Sequence, residues 1–383
     1  MGSSRRETES VPSVPAVHRT CSLHQIVAKA RDMKLGLFTL MGLHDQNTSP
    51  AAVVKTAIDM VRMADDFGFD IAWFAEHQFT AHSICPSSLM MLARCVSETR
   101  QIRLGTALLS LPLHNPLRFV QEVAFAELLA GGRLVLGLGS GCQYQEFSRF
   151  GIRAANAVRI TMEMWDVLEQ SLATGSVAYE GRFVRVAHTA LAIRPIALSL
   201  PEIFVAGSHP DIVAQAAQRG CTPFMSFGHR GLMWAELQRD ILAERWQMGG
   251  GLTATMPLAL QRHIFVTDDA GEAQHVAACL RDLTHAVDDL NWDSGPECGA
   301  GLWSSQFGEE PDCGDLSEGA IIGAPAYCVE RLQQEIEALR PTHLACTMGF
   351  EGIGRQQTLA SLERFGCEVI PQLGALVTMH EGT

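Results

Sequence analysis

From Lys34 onward, short apolar runs alternate with stretches in which apolar residues recur every three or four positions. The runs Lys34–Met41, Asp70–Glu76, Ile102–Leu111 and Arg133–Gly139 are short and bounded by breakers or charges, so they predict buried strands. Between them Val53, Val54, Ala57, Ile58, Val61 and Ala64 fall at helical spacing, with Gly68 placed to end the helix. Pro86 suits the first turn of a helix running to about Glu98, and Pro116–Ala130 makes another, closed by Gly131-Gly132. Ile160–Leu172 is helical again. The second half repeats the alternation: strands at Ile203–Ala206, Thr222–Phe227, Met256–Val266 and His343–Met348, with helices at Asp211–Arg219, Leu232–Met248, Glu272–Val287, Ala326–Leu339 and Gln356 to about Leu373.

Eight strand-then-helix units predict a parallel sheet covered by helices, either an open doubly wound sheet or a closed (β/α)8 TIM barrel. The regular repetition favours the barrel, whose chemistry gathers just after the strand C-termini. Two segments stand outside this rhythm. Residues 1–33, rich in Ser, Arg, Glu and Pro, read as a disordered leader, with a short helix possible at Leu23–Ala30. Residues Asp288–Glu318 mix Asn, Asp, Gly, Pro, Ser and Trp without period and read as an insertion or lid; residues 376–383 are a tail.

Composition narrows the function. The 383 residues are 47% hydrophobic and 19% charged, enough apolar material for a large core. A net charge of −13 with three lysines (Lys29, Lys34, Lys55) offers no basic patch for nucleic acid. No uncharged apolar run reaches the length of a membrane span, and the N-terminus has no apolar signal-peptide run. Eleven cysteines, with no CxxC pair and no HExxH, suggest reduced thiols in a cytoplasmic protein rather than disulfides or zinc.

The strand ends supply the candidates. Strand two ends in Glu76-His77-Gln78-Phe79, where His77 can exchange a proton near neutral pH and Glu76 could orient its ring or cap a backbone. A histidine packed under the loop is the alternative. Strand three leads through Ala107 and Leu109 to an apolar stretch, against which a flat aromatic ligand could lie. After strand four, Gly137-Leu138-Gly139-Ser140-Gly141-Cys142 resembles a dinucleotide loop but fails the GxGxxG spacing at Cys142, leaving either a tight turn or a close approach of ligand and backbone. The fifth strand ends in Gly207-Ser208-His209-Pro210 at a helix start, where free N–H groups and a hydroxyl suit a phosphate monoester; Ser208 as a plain N-cap is the alternative.

Taken together, GFDIAWFAEHQF (Gly68–Phe79), IRLGTALLSLPLHNPLR (Ile102–Arg118), GGRLVLGLGSGCQYQEFSRFGI (Gly131–Ile152), YEGRFVRV (Tyr179–Val186), IFVAGSHPDIVAQAAQRG (Ile203–Gly220) and the closing IIGAPAYCVERL (Ile321–Leu332) and LASLERFGCEVIPQL (Leu359–Leu373) resemble the bacterial luciferase-like flavin-dependent monooxygenases. The resemblance implies a barrel, usually dimeric, that binds reduced FMN delivered by a separate reductase. It further implies that reduced flavin and O2 give a C4a-hydroperoxide that oxygenates an apolar organic substrate. It implies that His77 lies near the flavin, that Gly207 and Ser208 bind the phosphate, and that Ala107-Leu108 falls where the family often has a non-prolyl cis peptide beneath the ring.

The chain departs from the family's pattern at several of these places. Gln78 replaces the second histidine of a Glu-His-His-Phe motif, Ser140 stands where relatives often carry a phosphate-binding arginine, and Gly139 replaces the reactive cysteine of light-emitting members. Arg159, within one residue of another phosphate-binding arginine of the family, could compensate for Ser140. Two further readings keep the fold: an oxidoreductase using the deazaflavin F420, and a barrel without activity that serves as a partner subunit.

Overall fold

The computed structural model describes residues 33–43, 48–193, 200–226, 230–292 and 319–373. Eight parallel strands close on themselves: β1 (Lys34–Thr39), β2 (Ile71–Phe74), β3 (Arg103–Thr106), β5 (Leu134–Gly139), β8 (Glu202–Ala206), β9 (Thr222–Ser226), β10 (Ala259–Val266) and β12 (His343–Thr347), with β12 returning to pair with β1. Of the two expected architectures this is the TIM barrel.

The helices follow the caps legible in the chain. α1 (Pro50–Asp66) starts at Ser49, whose side chain accepts the Ala52 N–H, and carries proline in its first turn. α3 (Pro116–Ala130) starts at Asn115 and stops at Gly131 in the left-handed conformation (φ 61°), which glycine adopts without a Cβ clash. α2 (Ser88–Val96), α5 (Ala157–Thr174), α6 (Pro210–Arg219), α7 (Leu232–Met248), α9 (Pro325–Leu339) and α10 (Arg355–Arg364) lie within three residues of their expected N-termini. The last helix is interrupted by a π-helical turn at Phe365–Val369.

Four features differ from the sequence-based expectation. The run Ile102–Leu111 is two strands rather than one: the Ala107–Leu108 peptide is cis, and β4 (Leu109–Ser110) continues beyond it to pair with the end of β5. The segment Tyr179–Val186 belongs to an antiparallel hairpin, β6 (Ser176–Glu180) with β7 (Arg185–Ala190), which no hydrophobic alternation announced. A short strand β11 (Ile321–Gly323) lies beside the end of β10. Finally, α8 (Ala270–Trp292) runs past its expected end at Val287 into the segment read as irregular. The remainder of that insertion, the leader through residue 32 and the tail lie outside the described residues.

The barrel interior is filled by Ile71, Trp73, Val135, Phe204, Ala259 and Ala345. Trp73, fully buried, meets Phe204 edge-on at 5.4 Å and Phe224 at 5.6 Å. Gly36 gives it room, since a Cβ there would lie 2.0 Å from the Trp73 ring. The larger apolar cluster packs between the sheet and the surrounding helices.

Candidate functional site

The pairing register places the candidate loops side by side. Phe74 pairs with Thr106, Ser110 with Gly139, and Gly139 with Ala206. The residues after β2, β3, β5 and β8 therefore form one continuous arc around part of the barrel's C-terminal rim.

At one end of this arc Glu76 and His77 diverge, as neighbours on extended backbone do. Glu76, buried, accepts the N–H of Ser88 at 2.9 Å and its hydroxyl at 2.8 Å, with His114 Nε2 at 3.3 Å from its other oxygen. It thus anchors the start of α2 and the loop after β4, and does not orient His77. That part falls to Glu146: His77 Nδ1 lies 3.3 Å from Glu146 Oε1, which also accepts the Gln78 N–H at 2.7 Å. The Glu146 side chain is 4% exposed and that of His77 20%, so the carboxylate is shielded while the imidazole keeps an open side. A second imidazole also returns to the site, since the His82 ring lies 5.0 Å from that of His77. Gln78 turns outward, its amide donating to the Pro86 carbonyl at 2.8 Å.

Local pattern does not single out Glu146. It sits on the one-and-a-half-turn helix α4 (Tyr144–Arg149), too short for an apolar period, and is 69 residues from His77. Its only signal is an acid close behind the glycine-rich loop.

That loop is explained in part by packing. A Cβ at Gly137 would lie 2.2 Å from the Thr106 carbonyl, and one at Gly141 (φ 75°) 2.3 Å from Ser110 Oγ. Gly139 faces Leu108, whose Cδ1 would be 2.7 Å from an added Cβ. Ser140 is half-buried, its hydroxyl donating to the Gly141 carbonyl at 3.3 Å. Ala107 packs partly buried against the barrel interior. Leu109, by contrast, is fully buried in the cluster beneath the helices, so its side chain cannot line the rim; half-buried Leu108 can.

At the other end of the arc, Gly207 has a φ of 116° and open space around any added Cβ. The N-cap of α6 is His209, not Ser208: His209 Nδ1 accepts the Asp211 N–H at 3.2 Å. Among the described residues the N–H groups of Gly207, Ser208 and His209 meet no protein acceptor. Arg245 of α7, also unforeseen, donates to the Ser208 carbonyl. Burial lowers the pKa of its guanidinium, and no carboxylate lies within ion-pair distance of it among the described residues. Arg159 is exposed in the first turn of α5, one turn before Met162, which lines a cleft with Asp211 and Gln215 of α6. This places it on the side of α5 that faces the start of α6.

No described helix is long and apolar enough to cross a membrane, and among the described residues no three His, Cys, Asp or Glu side chains form a metal-binding group. A family model described as luciferase-like monooxygenase matches residues 33–343. The chain is 30% identical over 342 residues to an uncharacterized protein, y4vJ, of Sinorhizobium fredii, covering 88% of this chain and 97% of that one. Among solved structures it is similar to the oxygenating constituent of 3,6-diketocamphane monooxygenase of Pseudomonas putida in complex with FMN (TM-score 0.72, 19% identity, 89% and 98% of the two chains). It is also similar to an F420-dependent secondary alcohol dehydrogenase in complex with an F420–acetone adduct (TM-score 0.66, 16% identity, 89% and 99%).

Proposed function

The chain belongs to the luciferase-like monooxygenase family, and on that premise we propose that it is the oxygenase of a two-component system, using reduced FMN from a separate reductase and O2 to oxygenate a small apolar organic substrate. The observation that carries this reading is the arc of adjacent strand ends, with a shielded His–Glu pair at one end and three unsatisfied N–H groups at the other.

These residues fit FMN. The N–H groups of Gly207, Ser208 and His209, at the positive end of α6, would hold the phosphate, with Ser140 and Arg159 beside them. Ala107, Leu108 and the Cβ-free Gly139 would take the flat apolar ring, while Leu109 contributes only its main chain. Reduced flavin, when bound, supplies the two electrons that let O2 give one atom to substrate and one to water.

His77 holds and returns a proton at its open ring edge, and Glu146 fixes the ring's orientation. Glu76 keeps α2 and His114 in place and acts on the site only through them. The apolar rim around Leu108 excludes water from the reacting centre. We further propose that the enzyme works as a cytoplasmic homodimer.

Anaerobic titration with reduced FMN, followed by admission of ¹⁸O2 with candidate ketones and aldehydes, tests the reading. The expected result is binding in the micromolar range and one ¹⁸O atom in the product. Absence of reduced-FMN binding at tens of micromolar would overturn it, as would substrate turnover with reduced F420 and no O2.

A further inference from the structure

Arg245 stands in an unusual setting. It is half-buried on α7, has no acidic partner within ion-pair distance among the described residues, and spends a donor on a backbone carbonyl of another element. Its acceptor, the Ser208 oxygen, belongs to the loop whose three N–H groups are unsatisfied. In a trans peptide the carbonyl and the following N–H point in opposite directions. By drawing the Ser208 carbonyl toward α7, Arg245 therefore turns the His209 N–H away from α7. Gly207, at φ 116°, makes the turn that leads from β8 into this peptide.

α7 is well placed to serve as a brace. It packs tightly along α6, where a Cβ at Gly249 would meet the Ala214 backbone at 2.3 Å. Its other side is tied to α9 by Arg239, which donates to the Ala338 carbonyl at 2.6 Å. The guanidinium is thus delivered from a rigid element to a loop with a glycine turn.

We propose that Arg245 is a positioning residue for phosphate binding: it clamps the Ser208 peptide so that the N–H groups at the start of α6 face a single phosphate, and its charge adds to the positive end of the helix. This rests on the reading of Gly207–Ser208 as the FMN phosphate site. The residue's influence is confined to the phosphate end of the cofactor, which makes it separable from a general structural role. A residue that merely supported the fold would affect every flavin alike.

The test is anaerobic binding of reduced FMN and of reduced riboflavin, which lacks the phosphate, to the wild type, Arg245→Met and Arg245→Lys. Arg245→Met is expected to weaken FMN by about 10-fold or more, the scale of one lost charge-assisted hydrogen bond, and to leave riboflavin within about twofold on the same scale. Lysine, which keeps a charged donor of similar reach, is expected to restore most of the FMN affinity. Should Arg245→Met not fold, Arg245→Gln takes its place. Equal losses for FMN and riboflavin, no loss for FMN, or failure of lysine to rescue would each overturn the proposal. A wild type that binds FMN no tighter than riboflavin would instead overturn the phosphate site itself.

Discussion

Glu146→Ala probes the arrangement at the heart of the site. The substitution removes a carboxylate that is 4% exposed and serves two groups from one oxygen, the Gln78 N–H at 2.7 Å and His77 Nδ1 at 3.3 Å. The first bond is short and charge-assisted, worth about 1.5–3 kcal/mol net, and water cannot readily replace the acceptor in a buried position. The second is longer and contributes less. Stability should thus fall by about 2–4 kcal/mol, or several degrees in Tm for a chain of this size. Turnover should fall further than stability, because the imidazole is no longer held: a displacement of about 1 Å can cost about 100-fold in rate. Reduced-FMN binding, which depends on the far end of the arc, should stay within about twofold, well below the cost of one hydrogen bond. The assays are thermal unfolding, flavin titration and product formation under saturating reduced FMN, with Glu146→Gln as the isosteric control expected to fall between the two. Turnover within threefold of wild type in a destabilised Glu146→Ala protein would show that His77 needs no orienting partner, and the proposed role would fail.

Two other expectations concern the scaffold. Asp65, at the end of α1, accepts the N–H groups of Arg100, Gln101 and Ile102 at 2.8, 3.0 and 2.7 Å; burial alone would raise its pKa, but these three donors outweigh it and hold the carboxyl below the ordinary range. Asp65→Asn should cost about 2–4 kcal/mol in urea unfolding at pH 7. Because the folded-state pKa is depressed, the difference from wild type should persist above about pH 4 and shrink as the pH falls toward the folded value, and a pH-independent difference would refute the assignment. Burial pushes the Cys85 thiol up to about 11 and those of Cys95, Cys221 and Cys328 up to about 12. At pH 8 iodoacetamide should therefore label Cys142 and Cys367, which are exposed, and leave those four unmodified until the chain is denatured, as read by peptide mass spectrometry.

Much of the framework is legible in the chain's local pattern. The eight strands and the helices between them follow from local hydrophobic period, and some of their ends from local chemistry: Pro116 in a first turn and Gly131 as a stop. His77, Gly207 and Ser208 stand out because the fold places functional groups after strand C-termini, so position in the repeat is itself informative.

Partnership is not legible in this way. Adjacency points to Glu76 as the companion of His77, yet successive residues on extended backbone face opposite ways, and the carboxylate comes from Glu146 on a helix too short to show a period. Ser208 looks like a cap because Ser is a good one, but the chain turns one residue later and His209 takes that place. Leu109 matches an apolar strand end, yet its side chain packs into the core beneath the helices and Leu108 is left at the rim. Arg245 carries no signal, being one of several charged positions on its helix until α7 packs against α6.

What the amino-acid sequence determined by itself was the order and type of the barrel's eight strands and of the main helices between them, with some of their caps, because those depend on interactions within a few residues. The tertiary structure decided which side chains meet. Closure of the barrel sets the register between strands far apart in the chain, and with it the distance from His77 to Glu146 and from Arg245 to the Ser208 carbonyl, which no local pattern encodes.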